Sequence, residues 1–215
     1  PFHLVFTAGS VLRKSEQFAK KTKQLNSPDY DYYMGWKESE DSLVCGKYAV
    51  FLDLNMAYNS DLGQEGLETV NPDDYYRSLD RFFVLLEEQY GVKIIIAAHP
   101  KTDPNTTVFG VREIYRLSTA ELVKDAKFVI THHSTALSYA VLNIKPCMFI
   151  YTNEMEVLYS DCRVKQIKLF ASYLDASIYN IDKLEISDKI VIKKPNRVRY
   201  DDYKYNFLTS KESEN

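Results

Sequence analysis

The sequence has few cysteines, and this shortage excludes several kinds of site. Its 215 residues include three cysteines, Cys45, Cys147 and Cys162, and no Cys-x-x-Cys spacing. An odd number of widely spaced cysteines supports neither a disulfide framework nor a zinc knuckle, and we expect no metal and no cofactor. A reducing, cytoplasmic location is the natural expectation for such a chain.

Glycine, basic charge and long apolar runs are also scarce. None of the seven glycines forms a glycine-rich loop, which excludes a P-loop and the G-x-G-x-x-G fingerprint of dinucleotide sites. The formal net charge of −3 argues against general nucleic-acid binding. No apolar run is long enough to cross a bilayer, so we expect no membrane-spanning segment.

Apolar residues make up 45% of the chain, which is enough for a sizeable core. Asn71, Pro72 and Gly91 have the residue types that begin and end a helix. Strands that alternate with helices predict an α/β fold with a doubly wound, mostly parallel sheet. Strands are predicted at 2–7, 47–53, 92–98, 127–131 and 147–151, and helices at 71–90, 118–126, 134–142, 157–175 and 201–209. Residues 11–25 are predicted to be basic and loosely helical, and 54–70 to form a loop.

The predicted strand ends carry most of the chemically useful side chains. Ligands of open parallel sheets bind beyond the carboxyl ends of the strands, so these residues are expected to share one site. His99, followed by Pro100 and Lys101, can donate a hydrogen bond to a phosphate or to a developing negative charge. The alternative is a histidine that only stabilises its own turn.

Ser134 and Thr135 are expected to open a helix directly after a strand. Two hydroxyls and free backbone N–H groups at such a position form an anion site, while simple N-capping by Ser134 needs no ligand, and both roles can hold together. The preceding His132 and His133 point in different directions, so they make a poor metal pair. We assign His133 to the site and expect its neighbour to pack.

Two carboxylates and an amide complete the predicted site. Glu154 can accept hydrogen bonds from a ribose diol. Asp53, which precedes Asn55 at the end of the first buried strand, can orient a loop or act as a base. A plain turn or capping role stays open for each of them.

Two segments resemble the carboxyl-terminal domain of GT-B-type glycosyltransferases. They are KIIIAAHPK at 93–101 and AKFVITHHSTALSYAVLNIKPCMFIY at 126–151. The pattern is most similar to bacterial sialyltransferases and Kdo transferases, which use CMP-activated sugars for capsule and surface polysaccharides. CDP-glycerol glycerophosphotransferases share a similar pattern. The HP and Ser-Thr motifs of those families face the nucleotide, and His99-Pro100 and Ser134-Thr135 match them. The resemblance covers residues 47 to about 155.

The resemblance implies a Rossmann-like half of a GT-B architecture that binds a nucleotide-activated sugar, with a CMP-sugar favoured, and a glycan acceptor. His99 would be catalytic because it would stabilise the departing phosphate. Ser134 and Thr135 would hold phosphate or cytidine, and Glu154 is the nearest counterpart of a ribose-binding acid. The expected location is cytoplasmic, either free or peripheral to the inner membrane.

The chain starts without Met, so we expect residues 1–46 to be a segment or linker that follows a missing amino-terminal domain. Residues 47–215 would then form the nucleotide-binding domain with its carboxyl-terminal helix. In the resembling families the base usually lies on the amino-terminal domain. Three alternatives remain open: a sugar-nucleotide epimerase of similar fold, a non-catalytic nucleotide-binding or scaffolding domain, and an unrelated α/β domain.

Overall fold

The computed structural model describes residues 3–12, 19–39, 41–64 and 66–213. Its strands are β1 (Val5–Ala8), β2 (Thr22–Leu25), β3 (Tyr48–Leu52), β4 (Lys93–Ala98), β5 (Ile114–Arg116), β6 (Val129–Thr131), β7 (Cys147–Tyr151) and β8 (Ser177–Asn180). Its α-helices are α1 (Pro28–Trp36), α2 (Ser60–Gln64), α3 (Pro72–Tyr90), α4 (Thr119–Asp125), α5 (Leu137–Leu142), α6 (Asn153–Tyr159), α7 (Lys165–Tyr173) and α8 (Arg197–Tyr203). A π-helical turn, Ser160–Val164, joins α6 to α7, and a second one, Lys204–Leu208, follows α8.

The main sheet has six strands in the order β5-β4-β3-β6-β7-β8, and every adjacent pair is parallel. Renumbered along the chain, this is the order 3-2-1-4-5-6, which defines the Rossmann type of doubly wound sheet. The predicted α/β fold with a doubly wound parallel sheet is therefore confirmed. The strand order reverses between β3 and β6, and a crevice opens there at the carboxyl edge.

The core follows from the burial of this sheet on both faces. All five residues of β3 are buried, as are five of the six in β4, because helices cover both sides of a parallel sheet. The long helix α3 buries one face against it, with Phe82, Phe83 and Leu86 each at most 1% exposed. Phe83 packs on Phe51 of β3 with ring centroids 5.2 Å apart.

Both predicted ends of α3 are confirmed. The Asn71 side chain accepts a hydrogen bond from the Asp74 N–H at 3.1 Å. At the other end, Gly91 adopts the left-handed conformation, with φ of 59°, and its N–H donates to the carbonyl of Glu87. Glycine tolerates this conformation because it has no Cβ.

Several predicted boundaries were wrong. The helix expected from Ser134 begins at Leu137, after a turn in which the Leu137 N–H donates to the Ser134 carbonyl. Ser118 precedes α4 without a side-chain cap, because its hydroxyl donates to the Arg116 carbonyl. The loop predicted at 54–70 contains the short helix α2.

The amino-terminal region also differs from the prediction. β1 pairs in parallel with β2, so the expectation of helical structure is wrong for Thr22–Leu25, while residues 13–18 of that stretch lie outside the described ranges. Helix α1 packs on α5, and Tyr139 of α5 donates a hydrogen bond to Asp29 at 3.2 Å. Residues before position 47 thus contact the sheet domain, and the division at 46/47 stays a prediction.

The turn after β1 is joined tightly to the end of the chain. The N–H groups of Ser10 and Val11 donate to the carbonyls of Tyr205 and Asn206. Gly9, with φ of 70°, lies so close that a Cβ built on it would be 2.4 Å from the Asn206 carbonyl carbon. Only glycine fits between these two backbones.

We expect Gly9→Ala to detach this turn, because the new methyl group overlaps backbone atoms that cannot rotate away. Amide hydrogen exchange of Ser10 and Val11 should accelerate at least tenfold. Gly35→Ala is the matched control, since a Cβ there meets nothing within 4 Å and alanine favours the helix. Equal exchange in the two variants would contradict the assigned contact.

Candidate functional site

A cleft of about 860 Å³ opens at the carboxyl edge of the sheet, and we call it the edge cleft. The ends of β3, β4 and β6 form its floor, where the strand order reverses. Its lining includes six of the residues selected from the sequence: Asp53, His99, Pro100, His133, Ser134 and Thr135. The structure therefore brings together side chains from three separate strand ends, while their binding roles stay predictions.

Asp53 connects two of these strand ends. One carboxylate oxygen, Oδ1, accepts the Asn55 N–H at 2.8 Å, and the other, Oδ2, accepts the Thr102 hydroxyl at 3.0 Å and the His99 N–H at 3.5 Å. The side chain is 4% exposed, and burial raises its pKa despite these hydrogen bonds. Both oxygens are engaged, so the geometry fits the loop-orienting role better than that of a base.

His99 directly follows the carboxyl end of β4, and a hydrogen bond defines the orientation of its ring. Its Nδ1 accepts the Lys101 N–H at 3.2 Å, so the neutral ring carries its proton on Nε2. Arg116 braces the same loop by donating to the carbonyls of Pro100, at 2.9 Å, and Thr102. The loop therefore holds a ring N–H donor at the lining of the edge cleft.

His132 is the member of the histidine pair that packs. It is fully buried, its Nδ1–H donates to the Ile150 carbonyl at 2.7 Å, and its Nε2 accepts from the Tyr75 hydroxyl at 2.8 Å. Burial lowers its pKa to about 4, so the ring is neutral at pH 7. It ties β6 to β7 and α3, and so fixes the start of the segment that carries Ser134 and Thr135.

The next residues turn towards the cleft. His133 is half-buried and its ring lies 6.2 Å from that of Phe170 in α7. The Ser134 hydroxyl accepts the Ala136 N–H at 3.2 Å within a local turn, while Thr135 is exposed in the cleft lining. These hydroxyls precede the α-helix by one turn and do not cap it.

Three residues selected from the sequence do not line the edge cleft. Both carboxylate oxygens of Glu154 accept the Asn71 N–H, at 2.9 and 3.0 Å, so this side chain stabilises the start of α3. Asn55 is buried with φ of 52°, and its backbone N–H donates to the Asp53 carboxylate in the turn after β3. Lys101 is exposed and outside the lining, and its backbone N–H donates to His99.

Sequence reasoning missed Arg163, which also lines the edge cleft. It lies in the π-helical turn between α6 and α7, and Gln166 and Phe170 of α7 line the cleft beside it. Such turns interrupt the regular hydrogen-bond ladder and occur often at functional sites. No motif marks Arg163, because its position depends on the path of a helix that the sequence pattern does not define.

The edge cleft is also lined by Tyr32, Glu121 and Tyr139. The Tyr32 hydroxyl donates to the Glu121 carboxylate at 2.6 Å, and its ring packs edge-on to Tyr139 at 6.3 Å. Within the described ranges, no three His, Cys, Asp or Glu side chains are grouped to hold a metal ion. In the same ranges, no helix combines the length and apolar character needed to cross a bilayer.

No protein-family model matches the sequence, and no curated protein matches it significantly. Solved structures with a similar chain path include the Methanocaldococcus jannaschii UDP-GlcNAc 2-epimerase (15% identity, TM-score 0.44, covering 89% of this chain and 54% of that one). Others are the calicheamicin glycosyltransferase CalG4 (12%, 0.42, covering 76% and 38%) and the glycosyltransferase SnogD from Streptomyces nogalater (10%, 0.39, covering 76% and 46%). The chain spans about half or less of their length. The fold assignment rests on the strand order of the chain itself.

The buried His132 makes stability depend on pH. Its pKa is about 4 in the folded chain against an ordinary 6.5, so its contribution is complete above pH 6.5 and is lost as the pH falls towards 4. The difference corresponds to about 3 kcal/mol of unfolding free energy. The free energy of unfolding, measured with urea at pH 7, 5.5 and 4.5, should decline less with falling pH in His132→Gln than in the unmodified chain.

His99→Gln is the matched control, because that ring is only half-buried. A pH dependence that is identical in the unmodified chain and in His132→Gln would show that His132 is not neutralised by folding.

Proposed function

We propose that this chain binds the phosphate-bearing part of a nucleotide-activated sugar and forms the donor-binding part of a glycosyltransferase. The observation that carries the proposal is the edge cleft, where His99, His133 and Arg163 face a common space with the hydroxyls of Ser134 and Thr135. Crevices of Rossmann-type sheets bind ligands at this edge. A volume of about 860 Å³ suits a ligand of nucleotide-sugar size.

The polar groups of the cleft match a phosphate. His99 offers an Nε2–H, and Arg163 offers a permanently charged guanidinium that can bind two phosphate oxygens at once. Ser134 and Thr135 add hydroxyl donors. Helix α5 has six residues and begins after these hydroxyls, so its dipole contributes little and side chains bear most of the recognition.

The same groups support departure of the leaving group in a transfer reaction. Negative charge grows on the phosphate as the glycosidic bond breaks. A prepositioned Nε2–H and guanidinium therefore stabilise the transition state more than they stabilise the ground state. No bound metal is required by this donor set. The acceptor hydroxyl needs a base, and Asp53 is poorly suited because both of its oxygens are engaged.

The finer assignment follows the HP and Ser-Thr pairs, His99-Pro100 and Ser134-Thr135. On that resemblance we propose a CMP-activated sugar, a glycan acceptor of a surface polysaccharide, and a cytoplasmic site of action at or near the inner membrane. The base would come from a further domain. Glu154 is left out of this proposed site, because it lies outside the lining of the edge cleft and its carboxylate accepts the Asn71 N–H.

The first test is nucleotide binding by this chain. We expect calorimetry to show binding of CMP in preference to CDP, UDP and GDP. Arg163→Gln and His99→Ala should each raise the dissociation constant about tenfold, the cost of one lost charge-assisted hydrogen bond. Arg77→Gln is the matched control, because Arg77 is exposed on α3 and pairs with Asp74 outside the cleft.

Two outcomes would overturn the proposal. Lack of binding of all four nucleotides would favour a scaffolding domain. Isomerisation of a nucleotide sugar without an acceptor, measured on the full-length protein, would replace the transferase by an epimerase. A further measurement concerns His99 alone: near-normal transfer in full-length His99→Ala would show that this residue does not stabilise the leaving group.

A further inference from the structure

A second cleft, of about 380 Å³, lies at the opposite end of α5 from the edge cleft, and we call it the basic cleft. Leu137, at the start of α5, lines the edge cleft, whereas Val141 and Leu142, at its end, line the basic cleft. Its walls come from α1, the end of α5 and α8. Among the described residues, the two clefts have no lining residue in common.

Three cations line the basic cleft. Lys37 follows α1, Arg197 begins α8 and Lys204 follows α8, while Asp201 is the acidic residue among the described lining. The lining thus carries a formal charge of +2, although the whole chain carries −3. Cations from two separate helices gathered around one concavity repel each other, and an anion bound between them removes that repulsion.

The floor of the basic cleft is apolar and aromatic. Tyr30 and Tyr200 are 2% and 3% exposed, and Val141 and Leu142 are buried beside them. The Lys204 ammonium lies 5.6 Å from the centre of the Tyr30 ring, which places this charge against the floor. A charge next to buried rings is screened less by water, so its attraction for an anion is stronger than at an open surface.

We propose that the basic cleft binds a phosphate monoester attached to an apolar group. A phosphate monoester carries a charge of about −1.5 to −2 at pH 7, which matches the charge of the lining. Arg197 supplies the planar fork that phosphate oxygens favour. Met34 and Ile144, which are 37% and 40% exposed in the lining, give the apolar group a contact surface.

This chemistry has two natural sources, a small phosphorylated metabolite and the headgroup of an anionic lipid. Both present the same phosphate and an apolar body to Lys37, Arg197 and Lys204. The site stands independently of the proposed function, because no residue of the edge cleft takes part in it.

Phenyl phosphate is the probe for the first source, and its binding is measured by calorimetry on this chain. We expect Lys37→Gln/Arg197→Gln to weaken binding at least tenfold. The matched control is Lys93→Gln/Arg77→Gln, which removes the same charges from exposed positions outside both clefts. Arg163→Gln tells the two clefts apart: phenyl phosphate binding that is lost in Arg163→Gln and kept in Lys37→Gln/Arg197→Gln belongs to the edge cleft and contradicts the proposal.

Vesicles of phosphatidylcholine with and without phosphatidic acid test the second source by co-sedimentation. Binding that needs phosphatidic acid and is lost in Lys37→Gln/Arg197→Gln identifies a lipid headgroup as ligand. Binding of phenyl phosphate without vesicle binding identifies a soluble ligand. If neither probe binds, or if Lys37→Gln/Arg197→Gln binds as well as the control pair, the proposal is wrong. Equal thermal unfolding of the two double variants confirms that both are folded.

Discussion

The candidate site depends on one buried carboxylate. Asp53 ends β3 and accepts hydrogen bonds from its own turn, at Asn55, and from the loop after β4, at His99 and Thr102. These contacts join the neighbouring carboxyl ends of two parallel strands. They also fix the position of the His99 backbone, from which the ring projects. A carboxylate kept out of water in this way is costly unless each oxygen has donors, and the surrounding loops supply them. The hydrogen bonds from these loops favour the ionised carboxylate, and they oppose the burial that raises the pKa of Asp53.

The sequence allowed much of the fold to be predicted, because buried parallel strands are continuous apolar runs and because α3 has recognisable residues at both ends. Asn71 and Gly91 act locally, so their roles can be inferred from a few neighbouring positions. The convergence of Asp53, His99 and Ser134 followed from a general rule about parallel sheets and needed no knowledge of individual contacts. The strand order itself could not be obtained in this way, since edge strands such as β5 and β8 are short and only partly buried.

What could not be predicted depends on contacts between distant residues. Glu154 has the residue type and the position of a ribose-binding acid. Its carboxylate nevertheless accepts a hydrogen bond from the N–H of Asn71, which is 83 residues away in the sequence. Ser134 has the composition of a helix start, but the chain makes a tighter turn there and α5 begins three residues later. Arg163 carries no local signal. Each case is decided by tertiary geometry, which overrides the local preference of the residue.

The π-helical turn that carries Arg163 has a consequence for how this region tolerates change in length. The path from α6 to α7 is one continuous helical course in which Ser160–Val164 is wound more loosely than its neighbours. Five residues wound in this looser way cover about the same rotation as four residues of regular α-helix, so removal of one residue there would restore the regular winding and leave the direction of α7 nearly unchanged. Gln166, Ile167 and Phe170 of α7 would then keep their places in the wall of the edge cleft, and the loosely wound turn that carries Arg163 would be lost. A change of one residue in length is therefore absorbed within this turn, where it moves Arg163 and leaves the rest of the wall in place.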